Sequence, residues 1–251
     1  VMRYGIGDVT HSSGTQDHFN QWMWQRLLWA PQTTVEDAVA EYTRVWFGPE
    51  AAPLMSDAIF QLEQNLAEKP GVSISARDGF DRYYKLVAGA GRKMPPMVMK
   101  TSWLWREHMQ KAALDKHIQL NVRQQEAIQK RVEAAIRAGS SDRAIDRALA
   151  ILNEQRESPE MAALRREAGR LGEESNALYG VRSEGFFNLD HDFIGIGWLK
   201  RQLERARKAT GDERAELLHM ITDYEDPGEG GFYDDAGTLD RAPNIVRGYP
   251  F

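Results

Sequence analysis

The chain has 251 residues, of which 42% are apolar and 27% charged, and its formal net charge is −5. This length and composition can bury one large core or two modest ones, and no basic stretch points to nucleic acid or an anionic membrane as the main partner. The absence of cysteine excludes disulfides, thiolate metal sites and cysteine nucleophiles. No apolar run reaches the roughly 18 residues of a membrane-spanning helix.

The first 18 residues predict a strand end followed by a polar loop. Residues 3–9 are short and β-like, and the stretch 12–15 reads Ser-Ser-Gly-Thr, which is typical of a loop. A first helix is predicted to begin near Thr15 or Asp17 and to end before Pro31, because a proline disfavours helical geometry in the residue before it. We take residues 1–18 as a separate N-terminal region on this basis.

Helices then follow one another as far as residue 94. Thr33 and Thr34 are good N-caps for a helix over 35–47, which Gly48 ends. A third helix is predicted from Pro49 to about residue 67. Within 71–94 we expect one short helix, broken by two glycines near its end.

A very long helix is predicted from Pro95-Pro96 to Ala138. No residue in this stretch breaks a helix, and its apolar residues recur with helical spacing. Such a helix would be a rod of roughly 60 Å. Further helices are predicted over 142–157, 159–178, 193–210 and 212–224.

The tail, residues 225–251, has no periodicity and is rich in glycine, proline and acids. It also holds aromatic and aliphatic residues, which disordered tails usually lack. We therefore expect an irregular, ordered segment that wraps around the helices. The predicted fold is mainly α: a multi-helix bundle or array over 19–224 with one long central helix, a β-like N-terminal segment and this tail.

One candidate site is a group of ionisable residues in the N-terminal region: Asp8, His11, Asp17 and His18. A carboxylate and an imidazole near each other can act as acid and base or bind a sugar hydroxyl. The alternative is an ordinary helix start, in which Asp17 favours the positive end of the helix dipole and His18 is exposed.

Tryptophan is the second candidate signal, since six of the seven lie within the first 105 residues. Indole faces can stack on sugar rings, but most of these positions lie on apolar helix stripes and are expected in the core. Trp24 and Trp29 flank the main stripe and are the expected exceptions.

Two acidic stretches are weaker candidates. The sequence Asp190-His191-Asp192 could hold a divalent ion but is more typical of a loop and N-cap. The stretch 224–235 contains Tyr233 and Asp234, which could bind sugar hydroxyls, but it lacks the spacing of a calcium-binding EF-hand loop. We predict neither a metal nor another cofactor. Phosphate-cradling, dinucleotide, nucleophile-elbow and zinc-protease motifs are missing from the sequence.

The two ends of the chain resemble alpha-glucuronidase-like and related bacterial glycoside hydrolases. The similar segments are Trp29-Ala30-Pro31, Val35-Glu36-Asp37, Glu41-Tyr42, the run from Phe47 to Ala52 and the stretch 224–235. In those proteins the front segment follows the catalytic barrel and leads into a helical C-terminal domain. The resemblance implies that residues 1–18 are the remnant of a preceding barrel, and that the protein is extracellular or periplasmic.

The resemblance further implies a carbohydrate ligand, and it places the polar loop from Asp8 to His18 where the last barrel strand would present side chains to a sugar. Together with the candidates above, the residues predicted to bind the ligand are Asp8, His11, Asp17, His18, Trp24, Trp29, Tyr233 and Asp234. It transfers no catalytic residue, because the barrel that would hold the paired carboxylates is not in this sequence. The alternative is a non-catalytic helical scaffold, or a carbohydrate-binding or interaction module.

Overall fold

A computed structural model describes residues 17–66, 74–180 and 195–223. Over these residues the protein is helical and contains no strand, which confirms the mainly α prediction. The predicted β-like segment before residue 17 and the tail after residue 223 lie outside the described residues. The helices are α1 (Asp17–Trp29), α2 (Val35–Phe47), α3 (Ala52–Leu66), α4 (Gly79–Gly91), α5 (Pro96–Thr101), α6 (Trp103–Arg137), α7 (Asp142–Leu152), α8 (Pro159–Tyr179), α9 (Ile196–Lys208) and α10 (Gly211–Thr222).

The ends of α2 lie where the sequence predicts them. The backbone N–H of Asp37 donates to Thr34 Oγ1 over 3.1 Å, which caps the helix start. At the other end Gly48 has a φ of 87°, a conformation that glycine adopts most readily. A Cβ at Gly48 would also lie 2.9 Å from Cδ of Pro95, so this stop packs tightly against the start of α5.

The single long helix predicted from residue 95 is wrong in one respect, because the chain breaks at Ser102. Ser102 has extended backbone angles, and its Oγ accepts a hydrogen bond from the N–H of Trp105, so it caps a new helix. The Arg106 guanidinium donates to the carbonyls of Ser102 and Lys100, which supplies partners for carbonyls at the break. What remains, α6, has 35 residues and a length of about 52 Å.

Three smaller boundaries also differ from the predictions. Helix α3 begins at Ala52 rather than Pro49, and α7 ends at Leu152 rather than near residue 157. Helix α4 continues through Gly89 to Gly91. The second glycine is needed for close packing, because a Cβ there would lie 2.6 Å from the Trp105 ring.

Helix α6 is the centre of the fold, with α4, α7 and α8 packed along it. Around its N-terminal half lies what we call the aromatic core, built on α2, α3, α4 and the start of α6. Its large buried members are Tyr42, Phe47, Met55, Tyr83, Val87, Trp105 and Met109.

The C-terminal half of α6 packs with α7, α9 and α10 around a second cluster, which we call the aliphatic core. Its members are mostly isoleucine, leucine, valine and alanine, with Phe80 and Trp198 as the aromatic exceptions. Between the two, Leu114 of α6 packs against Leu164 and Ala168 of α8. Among the described residues, no helix combines the length and apolarity that crossing a membrane requires.

Candidate functional site

The first candidate site is the aromatic corner, which we define as His18, Tyr42, Trp46 and Trp103. It forms where the first turn of α1 meets the end of α2 and the start of α6. His18 Nδ1 lies 3.1 Å from Tyr42 Oη. The imidazole also makes edge contacts with the rings of Trp46 and Trp103, at centroid distances of 4.8 and 5.5 Å.

Both titratable groups in the aromatic corner are neutral at pH 7. Burial lowers the pKa of His18 from its ordinary value. Burial, and secondly the Glu107 carboxylate, raise the pKa of Tyr42 well above its usual range. The corner therefore offers uncharged hydrogen-bonding groups among aromatic rings rather than an ionised acid–base pair.

Helix α1 carries three tryptophans. One of them packs α1 against the aromatic core, and the other two are exposed. Trp22 Nε1 donates to the carbonyl of Ala38 over 3.4 Å and packs against the aromatic core. Trp29 is 90% exposed and Trp24 is 52% exposed. The expectation that these two lie outside the core is confirmed.

Trp103 differs from its prediction, since it was expected in the core and is 41% exposed. It is the first residue of α6, immediately after the break at Ser102. Trp105, two residues later, points inward and donates from Nε1 to the carbonyl of Val87 over 3.1 Å.

Of the eight residues predicted to bind substrate, the structure places three in full. These are His18, Trp24 and Trp29. Asp17 opens α1, but its side chain is not described. The remaining four residues lie outside the described residues: Asp8, His11, Tyr233 and Asp234. The stretch 190–192 also lies outside them. The neighbours that His18 contacts, Tyr42 and Trp46, were not predicted as site residues from the sequence.

A second candidate, the buried polar row, consists of Tyr83 on α4 with His108, Lys111 and Asp115 on α6. Tyr83 Oη and His108 Nδ1 are 2.8 Å apart. Further along α6, Lys111 Nζ lies 3.1 Å from Asp115 Oδ1. All four side chains are buried.

The environment of the buried polar row shifts the pKa values of His108, Asp115 and Tyr83 so that the neutral form of each is favoured. Burial, and then the nearby Lys111 ammonium, lower the pKa of His108 to about 4. Burial raises the pKa of Asp115 despite the opposing effect of Lys111. Burial also raises the pKa of Tyr83, with the Asp115 carboxylate second. Shifted pKa values of this kind occur at catalytic sites and in structural networks alike.

The sequence contains a pattern that could have predicted this row, but a search for apolar residues with helical spacing did not detect it. His108, Lys111 and Asp115 continue, at spacings of three and four, the stripe that passes through Ile118 and Val122. Polar residues on a buried stripe of a helix have to find partners inside the protein. That pattern predicts an internal hydrogen-bonded row.

Neither candidate has the groups that a metal centre would need. Within the ranges that the structure describes, no three His, Asp or Glu side chains are grouped so that they could hold an ion. The buried polar row lies in the interior, and its bond from Tyr83 to His108 joins α4 to α6, so the row can fix the position of one helix on the other. The aromatic corner and the exposed tryptophans are the parts that a ligand can reach.

Comparison of the chain with protein family models, with curated protein sequences and with solved structures found no match. Function is therefore inferred from the geometry of these two candidates and from the exposed surface of α1.

Proposed function

We propose that this chain is the helical part of a carbohydrate-active, glycoside hydrolase-like protein, in which α1 lines or supports a sugar-binding cleft. The observation that carries the proposal is the exposure of two indole rings on one helix, Trp29 and Trp24. Tryptophan is enriched at interfaces, and an indole face offers a flat, electron-rich platform for the C–H face of a sugar ring.

The aromatic corner lies at the start of the same helix and adds polar character to that surface. His18 is neutral there and only partly buried. A neutral imidazole can donate to or accept from a sugar hydroxyl. This supports binding rather than bond cleavage, since glycosidases ordinarily use two carboxyl groups about 5 to 9.5 Å apart.

In this proposal at least part of the catalytic machinery belongs to a preceding barrel domain of the parent protein, and the whole acts outside the cytoplasm. The support for both points is the resemblance of residues 29–52 to the segment that follows the barrel in alpha-glucuronidase-like enzymes. The chain itself would then position α1 against the sugar.

A second function, a non-catalytic helical scaffold or interaction module, has its own support in the buried polar row. Its groups bind each other inside the core, where they can stiffen the array but cannot touch a ligand. In this alternative the exposed tryptophans contact another protein surface instead of a sugar.

The two functions are separated by glycan-array binding and by hydrolysis of uronic-acid and hexosamine glycosides. We expect the chain to bind a glycan, and Trp29→Ala and Trp24→Ala to reduce that binding at least about fivefold, by analogy with nucleic-acid bases, whose stacking on an aromatic side chain is typically worth about 1–3 kcal/mol. Leu178→Ala, which removes another exposed apolar side chain, is the matched control and should leave binding unchanged.

Thermal melting of each variant completes the experiment. Because both tryptophans are exposed, their replacement should leave the melting temperature almost unchanged. A chain that binds no glycan and hydrolyses none of these glycosides would end the carbohydrate proposal and leave the scaffold function. A large drop in melting temperature would show that the tryptophans are structural.

A further inference from the structure

Helix α9 presents a strongly basic outer surface. It carries five basic residues and one acid, Glu204. Its inner side, with Trp198 and Leu203, is buried in the aliphatic core. Four of the bases form what we call the basic face, all of them exposed: Lys200, Arg201, Arg205 and Lys208.

Within the described residues, the remaining base of α9, unlike the four of the basic face, makes ion pairs with acids of a neighbouring helix. Arg207 binds two acids of α7, with nitrogen–oxygen distances of 2.7 Å to Asp142 and 2.8 Å to Asp146. Arg214 of α10 also binds Asp142. The acids of α7 are therefore already occupied by bases that do not belong to the basic face.

By contrast, no acid in the described ranges makes an ion pair with the basic face. Arg205 donates to Gln202 over 3.1 Å, and this is a neutral acceptor. The face thus keeps an excess of positive charge that is not balanced by the helices packed around it.

The compensating charge lies in the sequence that follows α10. Residues 224–251 contain six acids and two bases. Three of the acids, Glu225, Asp226 and Glu229, fall within the first six residues. Asp234 and Asp235 come shortly after them.

This acidic sequence is tethered next to α9. Only two residues separate α9 from α10, and the two helices pack against each other. Helix α9 has 13 residues and so a length of about 20 Å. An extended chain covers about 3.3 Å per residue, so roughly six residues beyond α10 can span the whole basic face.

We infer that the basic face of α9 is the docking surface for the acidic segment 225–235 of the same chain. Tethering raises the local concentration of the segment to the millimolar range, which lets several weak ion pairs act together. The occupant would shield the basic face from other polyanions. This inference goes beyond the proposed function and does not depend on it.

The experiment is zero-length carbodiimide cross-linking of the full chain, followed by mass spectrometry. The reagent joins lysine amines to carboxylates that are in contact, so Lys200 and Lys208 report on the segment. We expect links from these lysines to acids in 225–235, formed within one molecule and lost in 0.5 M NaCl because ion pairs at a surface are screened.

A matched pair of variants tests whether the basic face itself holds the segment. Arg201→Gln with Arg205→Gln removes two positive charges one turn apart and keeps both lysines, and we expect the link yield to fall about fivefold. Arg143→Gln with Arg147→Gln makes the same change at the same spacing on the exposed side of α7. That control should keep the yield within twofold.

Other outcomes overturn the inference. Links between differently isotope-labelled copies would mean that a second molecule occupies the face. Links absent at low salt, or equally frequent in both double variants, would show that the segment does not dock there.

Discussion

At its N-terminal half α6 packs against aromatic rings and carries buried polar side chains, whereas at its C-terminal end it packs into a cluster that is mostly aliphatic. The change is abrupt. Up to Gln125 the buried positions include several polar residues, and after it they are Ile128, Val132, Ala135 and Ile136. One continuous helix therefore contributes to two interiors of different chemistry.

The difference shows what each interior contributes. Aliphatic side chains stabilise through the burial of apolar area, which has little directional preference. The bonds from Tyr83 to His108 and from Lys111 to Asp115 have defined lengths and directions. The Tyr83–His108 bond joins α4 to α6 and can fix their relative rotation, whereas the Lys111–Asp115 pair lies within α6 and carries the cost of removing charges from water.

The largest expected effect is the loss of Asp115. Asp115→Ala leaves the Lys111 ammonium buried without its carboxylate, which typically costs 3–5 kcal/mol. Urea unfolding followed by circular dichroism measures the change. The double replacement Lys111→Met with Asp115→Leu should recover most of it, because a buried ion pair can often be exchanged for apolar residues. Failure of the double variant to recover would show that the pair stabilises the aromatic half.

The second prediction concerns pH and distinguishes the two halves directly. The pKa of His108 is about 4 in the folded protein and 6.5 in an ordinary environment, so the unfolded chain binds the proton more tightly. His108 thus makes no pH-dependent contribution above pH 6.5, and its effect on stability becomes increasingly unfavourable as the pH falls towards 4. The loss reaches about 3 kcal/mol near pH 4.

His108→Gln is the control for this prediction, since it keeps a polar group opposite Tyr83 without titrating. We expect unfolding curves between pH 7 and 4 to show a steeper loss in the native protein than in the variant. Asp115 changes the stability of both proteins in the opposite direction to His108, because a raised pKa in the folded state favours folding as the pH falls. Parallel pH profiles would contradict the assigned role of His108.

A smaller effect is expected for Tyr83→Phe. The change removes the hydroxyl that lies 2.8 Å from His108 Nδ1 and leaves that buried nitrogen without this partner. The expected loss of unfolding free energy is about 1–2 kcal/mol. Phe80→Leu, a nearby apolar change in α4, serves as a control for packing. A neutral result for Tyr83→Phe would mean that His108 finds another partner.

The smallest effect is expected in the aliphatic core. Ile145→Val removes one buried methylene from α7 and should cost about 1 kcal/mol. It should also leave the pH profile of stability unchanged, because no titratable group lies in that cluster. A pH-dependent effect of this substitution would show that the two halves are less distinct than their composition indicates.

Much of the helical framework could be predicted from the sequence. The N-cap at Thr34, the stop at Gly48 and the serine–proline start of α8 act locally, so their positions follow from the residues themselves. The break at Ser102 could not be predicted in this way. It depends on Arg106 bonding the carbonyls before the break, and serine alone does not end a helix.

The candidate site was less accessible to sequence reasoning. Trp24 and Trp29 were correctly placed outside the core because helical spacing puts them beside the main stripe. The contact of His18 with Tyr42 joins residues 24 positions apart, and it depends on how α1 lies on α2. The carbohydrate assignment stays a prediction, as do the roles of Asp8, His11, Tyr233 and Asp234.

The sharing of α6 has a consequence for local opening of the protein. Neither core is formed by a separate set of helices, because α6 contributes residues to both. Local unfolding of α6 near its centre, at Ile118 and Val122, would expose buried side chains of both cores at once. Amide hydrogens there should exchange only through global unfolding, while those of α1, at the periphery, should exchange through smaller excursions.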